Sequence, residues 1–210
     1  MIKLFTFHPD HFDNNGDQGN IEVLRFELER AGVKHGKSKT VEAAEFVLIG
    51  DASRAAMRHY AEELRGLLPA LRNRMSAGAP TLLVGSSYEF FASELGLTAE
   101  KMPRKSEFVS GEYFGYRNTE LDLPTVHRNG LFVASSLFGP FLAKNPSYLS
   151  DLLSDLGVNS ERRAAAWAGG ARRHGRDRHR ALRLGYRPPP LYAYRRCFMQ
   201  CAAIANAIVV

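Results

Sequence analysis

The residues Thr81-Leu82-Leu83-Val84 form an apolar run that ends in Gly85-Ser86-Ser87, and Tyr88-Glu89-Phe90-Phe91 can continue at once as a helix. This is the local pattern of a nucleophile elbow, a tight strand-to-helix turn that presents one side chain beside backbone N–H groups. The chemistry such a turn serves is attack by the apical side chain on an electrophilic carbon. The apex here is Gly85, which has no side chain to attack with. Ser86 and Ser87 flank it, and a serine becomes a nucleophile only beside a base. The histidines outside the last fifty residues are His8, His11, His35, His59 and His127. Of these, His127, in the loop before the final core strand, is the nearest candidate for a substitute base. The competing expectation is that Ser86 and Ser87 cap the helix that follows.

Other groups carry weaker patterns. His8, His11 and Asp13 suggest a metal site, but their i, i+3, i+5 spacing after a strand matches no particular coordination geometry, and a solvated loop is the alternative. Asp17-Gln18-Gly19-Asn20 at a helix start could hold an anion or a partner's backbone, or could serve only as a cap and tight turn. Cys197 and Cys201 are four residues apart, without the neighbouring ligands that a zinc site needs. The run Arg172-Arg173-His174-Gly175-Arg176-Asp177-Arg178-His179-Arg180 could bind nucleic acid or anionic lipid, but it has no interleaved aromatic residues and implies only non-specific binding. No metal and no cofactor is expected.

The elements that would position the elbow can be read from the periodicity. Residues 2–7 form a buried strand, and His8 to Asn20 a loop rich in Asp, Asn and Gly. Ile21, Leu24, Leu28 and Ala31 mark one helix face. A second buried strand covers Glu45 to Gly50, and a long amphipathic helix covers 54–75, with Pro69 placed to kink or divide it. Strand 80–84 leads into the elbow. Residues 107–117 and 130–137 read as strands, and a closing helix runs from Pro146 to Leu156 and stops at Gly157. Alternating strand and helix predicts an α/β fold of flavodoxin-like, three-layer type, with a mostly parallel sheet covered on both faces and the elbow at the carboxyl ends of its strands.

Composition divides the 210 residues into a domain at 1–157 and a tail at 158–210. The tail holds eleven arginines against Glu161 and Asp177, a balance of +9, which leaves −3 for the rest of the net +6. The domain's charge gives no reason to expect a nucleic-acid partner. The Ala, Arg, Gly and Pro content of the tail fits a disordered basic segment or translation out of frame of a GC-rich gene. The first residues read as a strand and not as a signal peptide, and no apolar run reaches about 18 residues, so no membrane insertion is expected. Both cysteines lie near the end, which favours a cytoplasmic protein.

Three segments, in order, resemble the CobB/CobQ-like class I glutamine amidotransferases, most of all the glutaminase (GatD) subunits of lipid II isoglutaminyl synthase. Phe12-Asp13-Asn14-Asn15-Gly16-Asp17-Gln18-Gly19-Asn20 is similar to that family's "LNLYGDRGN". Leu137-Phe138-Gly139-Pro140-Phe141-Leu142-Ala143-Lys144-Asn145-Pro146 is similar to "LHGPLLPKNP", and Val84-Gly85-Ser86-Ser87-Tyr88-Glu89 aligns without gaps on "VCGGYQ". The resemblance implies a glutamine-like ligand and a Mur-ligase-like or other synthetase partner in peptidoglycan precursor amidation. It implies a cysteine nucleophile at the position of Gly85 and a histidine base at the position of Phe138. It places the oxyanion loop "GGGQD" on Gly50-Asp51-Ala52-Ser53-Arg54, with donors around Gly50 and Ser86, and a carboxylate-gripping arginine near Arg104. Gly115-Tyr116-Arg117-Asn118 is similar to "GFENH", with the terminal histidine replaced by Thr119. The nucleophile, the base and most of the oxyanion loop are therefore all replaced, which implies a retired site. The alternatives are a hydrolase of the same fold using Ser86 or Ser87, and a nucleic-acid binder acting through the arginine-rich tail.

Overall fold

A computed structural model describes residues 1–158 of the chain. The basic segment beyond them, with Cys197, Cys201 and the arginine run, lies outside the described residues. Six strands form the main sheet: β1 (Ile2–Thr6), β2 (His35–Lys37), β3 (Phe46–Ile49), β4 (Thr81–Val84), β7 (Val126–Asn129) and β8 (Phe132–Ser135), in the order β2-β1-β3-β4-β8-β7. All neighbours are parallel except the edge pair β7–β8. The parallel part has the flavodoxin-like order, whose direction of winding reverses between β1 and β3.

Both sheet faces are covered, as the near-continuous apolar runs of β3, β4 and β8 require. Alternate residues of one strand enter opposite layers. Phe46, Leu48, Leu82, Val84 and Val133 pack under α1 (Gly19–Arg30), α6 (Phe141–Lys144) and α7 (Pro146–Asp155). Val47, Ile49, Leu83, Phe132 and Ala134 pack under the helices on the other side. Those are α2 (Arg54–His59), α3 (Ala61–Gly66), α4 (Leu68–Ser76) and α5 (Ser86–Phe91). Val158, at the expected start of the tail, is buried with the α7 side of the core. Among the described residues no helix is long and apolar enough to cross a membrane.

The single helix expected over 54–75 is three short ones. The first break is at Tyr60, whose ring gathers Phe7, His8, His11, Phe12 and His59. The second is at Leu67, and Pro69 stands in the first turn of α4, where its missing N–H is no loss. The strand expected over 107–117 is a longer antiparallel ribbon, β5 (Glu100–Val109) with β6 (Gly115–Asp122). The strand expected over 130–137 divides into β8 and a two-residue β9 (Leu137–Phe138), which leaves the main sheet to pair with β6. That change of sheet brings Phe138 toward the elbow.

Beneath the sheet's far end, the buried Arg74 donates to Thr81 Oγ1 and to the carbonyls of Val41, Ala44, Glu45 and Pro80. One side chain thus satisfies the carbonyls that enter β3 and β4 and fixes those two strands, which carry the loops of the site.

Candidate functional site

Three loops meet outside the carboxyl ends of β1, β3 and β4. The winding reverses here, and crevices for ligands form at such points. Gly85 has φ 57° and ψ −118°, a positive-φ conformation that is strained for a residue with a Cβ, and its N–H donates to Ser135 O at 2.9 Å. The turn is thus bent as an elbow should be. A Cβ at Gly85 would stand 2.6 Å from Asp51 Oδ1 and 2.7 Å from Phe138 Cε1. The structure brings the expected nucleophile and base positions into contact, and the volume between them is already full.

Asp51 fills it. Its Oδ1 accepts the Ser86 N–H at 2.8 Å, the first backbone donor after the apex. Its Oδ2 accepts the side-chain amides of Asn14 at 3.0 Å and Asn15 at 2.7 Å. The next donor of the loop is also taken, since Ala52 N–H donates to Ser86 Oγ at 2.8 Å, and that hydroxyl donates to Ala52 O at 3.2 Å. The chain supplies its own carboxylate to the place where a side chain on Gly85 would project.

Neither serine has the partner a nucleophile needs. Ser86 is tied to Ala52, while the buried Ser87 donates to Ile49 O (2.7 Å) and Val84 O (3.0 Å) and accepts the Val84 N–H. Neither hydroxyl caps α5, so the capping expectation is corrected: both bond backward, to the loop and strand that precede the helix. His127 sits on β7 opposite Ala134, which pairs with Leu83, one rung behind the elbow. Two strand spacings, about 10 Å, separate it from β4.

The two outer motifs lock onto each other. Asp17 is fully buried, and its carboxylate accepts Asp51 N–H at 2.8 Å and Gly139 N–H at 3.1 Å. Asn20 Oδ1 accepts Leu142 N–H at 2.8 Å, and Gly19 lies so close to Pro140 that a Cβ would stand 2.7 Å from its ring. Lys144 donates to Phe138 O at 2.6 Å, while Asn145 bonds both backbone groups of Phe114. Gly50 permits the approach of the first loop, because a Cβ there would meet Phe12 O at 2.2 Å. The segment 17–20 is therefore a clamp between loops, with its polar groups committed within the chain.

Burial raises the Asp17 carboxyl from 3.8 to about 7; the charges of Asp51 and Asp13 add to the rise, and the two N–H donors oppose it. An unfolded chain releases this proton near its ordinary value while the folded chain keeps it, so folding is linked to proton uptake in that interval. Stability should fall as pH rises from about 4 to about 7, by up to about 4 kcal/mol from this group, and level off above. Urea midpoints measured across pH 4–8 should follow that decline relative to an Asp17→Asn chain, in which the corresponding slope is absent.

Arg104 is exposed and pairs with Glu120 at 3.6 Å, which also meets Arg54 at 3.5 Å. Beside them Glu89 accepts Thr119 Oγ1 at 2.8 Å, and burial raises its carboxyl above the usual range. His8 stacks on Tyr60 at 4.1 Å and bonds Glu63 at 2.8 Å, so it belongs to an aromatic wall. Among the described residues no group of three His, Cys, Asp or Glu could hold a metal ion. The bonds from Asn14 and Asn15 to Asp51 answer to no local sequence pattern.

No protein-family model and no curated protein matches the chain. Among solved structures it is similar to a glutamine amidotransferase from Thermotoga maritima (13% identity, 79% of this chain and 90% of that one, TM-score 0.42). It is also similar to a putative GMP synthase component from Thermoplasma acidophilum (12%, 74% and 94%, TM-score 0.44). A third is Drosophila melanogaster DJ-1beta (13%, 80% and 97%, TM-score 0.43).

Proposed function

We propose that this chain is a glutamine amidotransferase-like protein of the CobB/CobQ type whose hydrolytic site is retired and whose fold binds a partner. In the family it resembles, a cysteine attacks the side-chain amide of glutamine and a histidine acts as its base and protonates the leaving ammonia. The observation that carries the reading is the Asp51 carboxylate, bonded to the Ser86 N–H at 2.8 Å and standing where a side chain on Gly85 would project. An oxyanion hole works by offering unpaired donors to charge that develops in the transition state. Here that donor is already neutralised by a fixed anion, so a developing oxyanion would meet repulsion in place of stabilisation. Losing the nucleophile alone removes several orders of magnitude in rate, and losing its base then adds little.

The partner we propose is a Mur-ligase-like synthetase acting on a cell-wall precursor in the cytoplasm, as the resemblance to the GatD subunits implies. The buried clamp of Asp17, Asn20, Gly139 and Leu142 supports a role for the folded scaffold, since its polar groups are all engaged while the reactive positions are lost. The test is an electrophilic glutamine analogue that alkylates an activated nucleophile. Intact-mass spectrometry should find the chain unlabelled, and an adduct on Ser86 or Ser87 would establish the hydrolase reading instead.

A further inference from the structure

Asn15 is followed by Gly16, and both are exposed on the loop that reaches Asp51. An asparagine before glycine is open to attack on its own side-chain carbonyl, because the glycine N has no Cβ beside it to hinder the approach. The space around Gly16 is empty, with no atom within 4 Å of where its Cβ would stand. A second such pair, Asn129 and Gly130, serves as an internal comparison. It closes the β7–β8 hairpin, where Asn129 pairs with Phe132 and its amide donates to Met75 O at 2.7 Å. Gly130 is wedged against the Gly78 backbone, with a Cβ position 3.0 Å from Gly78 Cα. The hairpin ladder and that wedge hold the backbone against the rotation that ring closure needs.

We infer that Asn15 is a self-modification site whose deamidation loosens the hold on Asp51. In the first step the deprotonated Gly16 backbone N attacks Asn15 Cγ. The N–Cγ bond forms, the Cγ–Nδ2 bond breaks, and Nδ2 leaves as ammonia after taking up a proton. Water then adds to either carbonyl of the five-membered imide and opens it to an aspartate or an isoaspartate. Nothing is oxidised or reduced, and water is the only co-reactant. The attack must break two bonds: Gly16 N–H to Asp13 O at 3.1 Å, which spans only a tight turn in an exposed loop, and the Asn15 amide to Asp51 Oδ2 at 2.7 Å. The second is matched by the Asn129 amide bond to Met75 O, so the two sites differ in the backbone and not in the side-chain tie.

The product matters because of where Asn15 points. Its amide is one of two donors to Asp51 Oδ2, at 2.7 Å. After conversion a carboxylate replaces that donor, and two negative charges face each other across the same gap. Of the three donors to the Asp51 carboxylate, the Asn14 amide and the Ser86 N–H then remain. This consequence rests on the geometry of the Asp51 tie and holds whether or not the elbow is retired.

The experiment incubates the full chain in mildly alkaline buffer and follows both asparagines by peptide mass spectrometry. Asn15 should convert at least about tenfold faster than Asn129, a difference of about 1.4 kcal/mol in barrier. Equal rates, or faster conversion at Asn129, would overturn the assignment. The effect on Asp51 is read separately with Asn15→Asp and Asn15→Ser chains, which differ in charge at a site where both should fold. The thermal midpoint of Asn15→Asp should lie about 2–8 °C below that of Asn15→Ser, and the gap should close in an Asp51→Asn background. A gap unchanged by Asp51→Asn, or no gap, would show that Asn15 does not act through Asp51.

Discussion

A Gly85→Cys chain is expected to lose about 2–6 kcal/mol of stability and to gain no glutaminase activity. Two costs add. The backbone at φ 57° and ψ −118° is strained for any residue with a Cβ, a cost of about 1–3 kcal/mol. The new Cβ then meets Asp51 Oδ1 at 2.6 Å and Phe138 Cε1 at 2.7 Å, a further overpacking cost of about 1–3 kcal/mol. A thiol at the apex brings neither a base, since Phe138 is the side chain beside it, nor a free Ser86 N–H, which is bonded to Asp51. Urea unfolding measures the first effect. Adding Asp51→Gly should recover part of the loss, with a coupling of at least about 1 kcal/mol, because the two side chains compete for one volume. Additive costs would mean that Asp51 does not fill the apex.

A Gly50→Ala chain should suffer still more, losing more than about 4 kcal/mol and yielding little folded protein. The obstacle is backbone: Phe12 O would lie 2.2 Å from the new Cβ, with Asp17 Cβ at 3.0 Å. Phe12 is wholly buried and Asp17 is bonded to two loops, so neither can retreat. The contrasting substitution is Gly19→Ala, where the close neighbour is a proline ring and not a peptide group. Circular dichroism melts of the two should rank Gly50→Ala well below Gly19→Ala.

The fold was readable wherever burial imposes a period. The runs at 46–49 and 81–84, buried on both faces, and the apolar stripe of α1 gave the βαβ pattern correctly. β2 escaped because His35-Gly36-Lys37 has no apolar residue to mark it and takes its strand form from pairing with β1. Most of β5 escaped for a related reason. Its residues are largely exposed, and its strand character comes from pairing with β6, where Ser106–Asn118 and Glu107–Arg117 contacts replace a core. The breaks at Tyr60 and Leu67 answer to tertiary packing that helical periodicity does not encode.

The site was legible as a set of absences. Gly85 and Phe138 stood at the nucleophile and base positions of a resembling family, and the structure places the two in contact. What fills the space between them is not written in any local pattern. Asp51 reaches Asn14 and Asn15 across 37 and 36 positions, and Ser86 across 35, and no local pattern predicts that one carboxylate will bridge them. Asp17 looked like a loop residue, and its burial follows from the docking of Gly139, 122 positions away. The frame of the elbow is legible in residues 81–91, while the carboxylate that fills it is a tertiary feature.

The most direct test is ammonia release from glutamine by the purified chain, run beside a Ser86→Ala chain. With Asp51 seated on the Ser86 N–H and Gly85 at the apex, both should release ammonia only at the rate of protein-free buffer. Sustained release by the parent chain that Ser86→Ala abolishes would contradict the account, because it would require an active nucleophile where the structure has a filled turn.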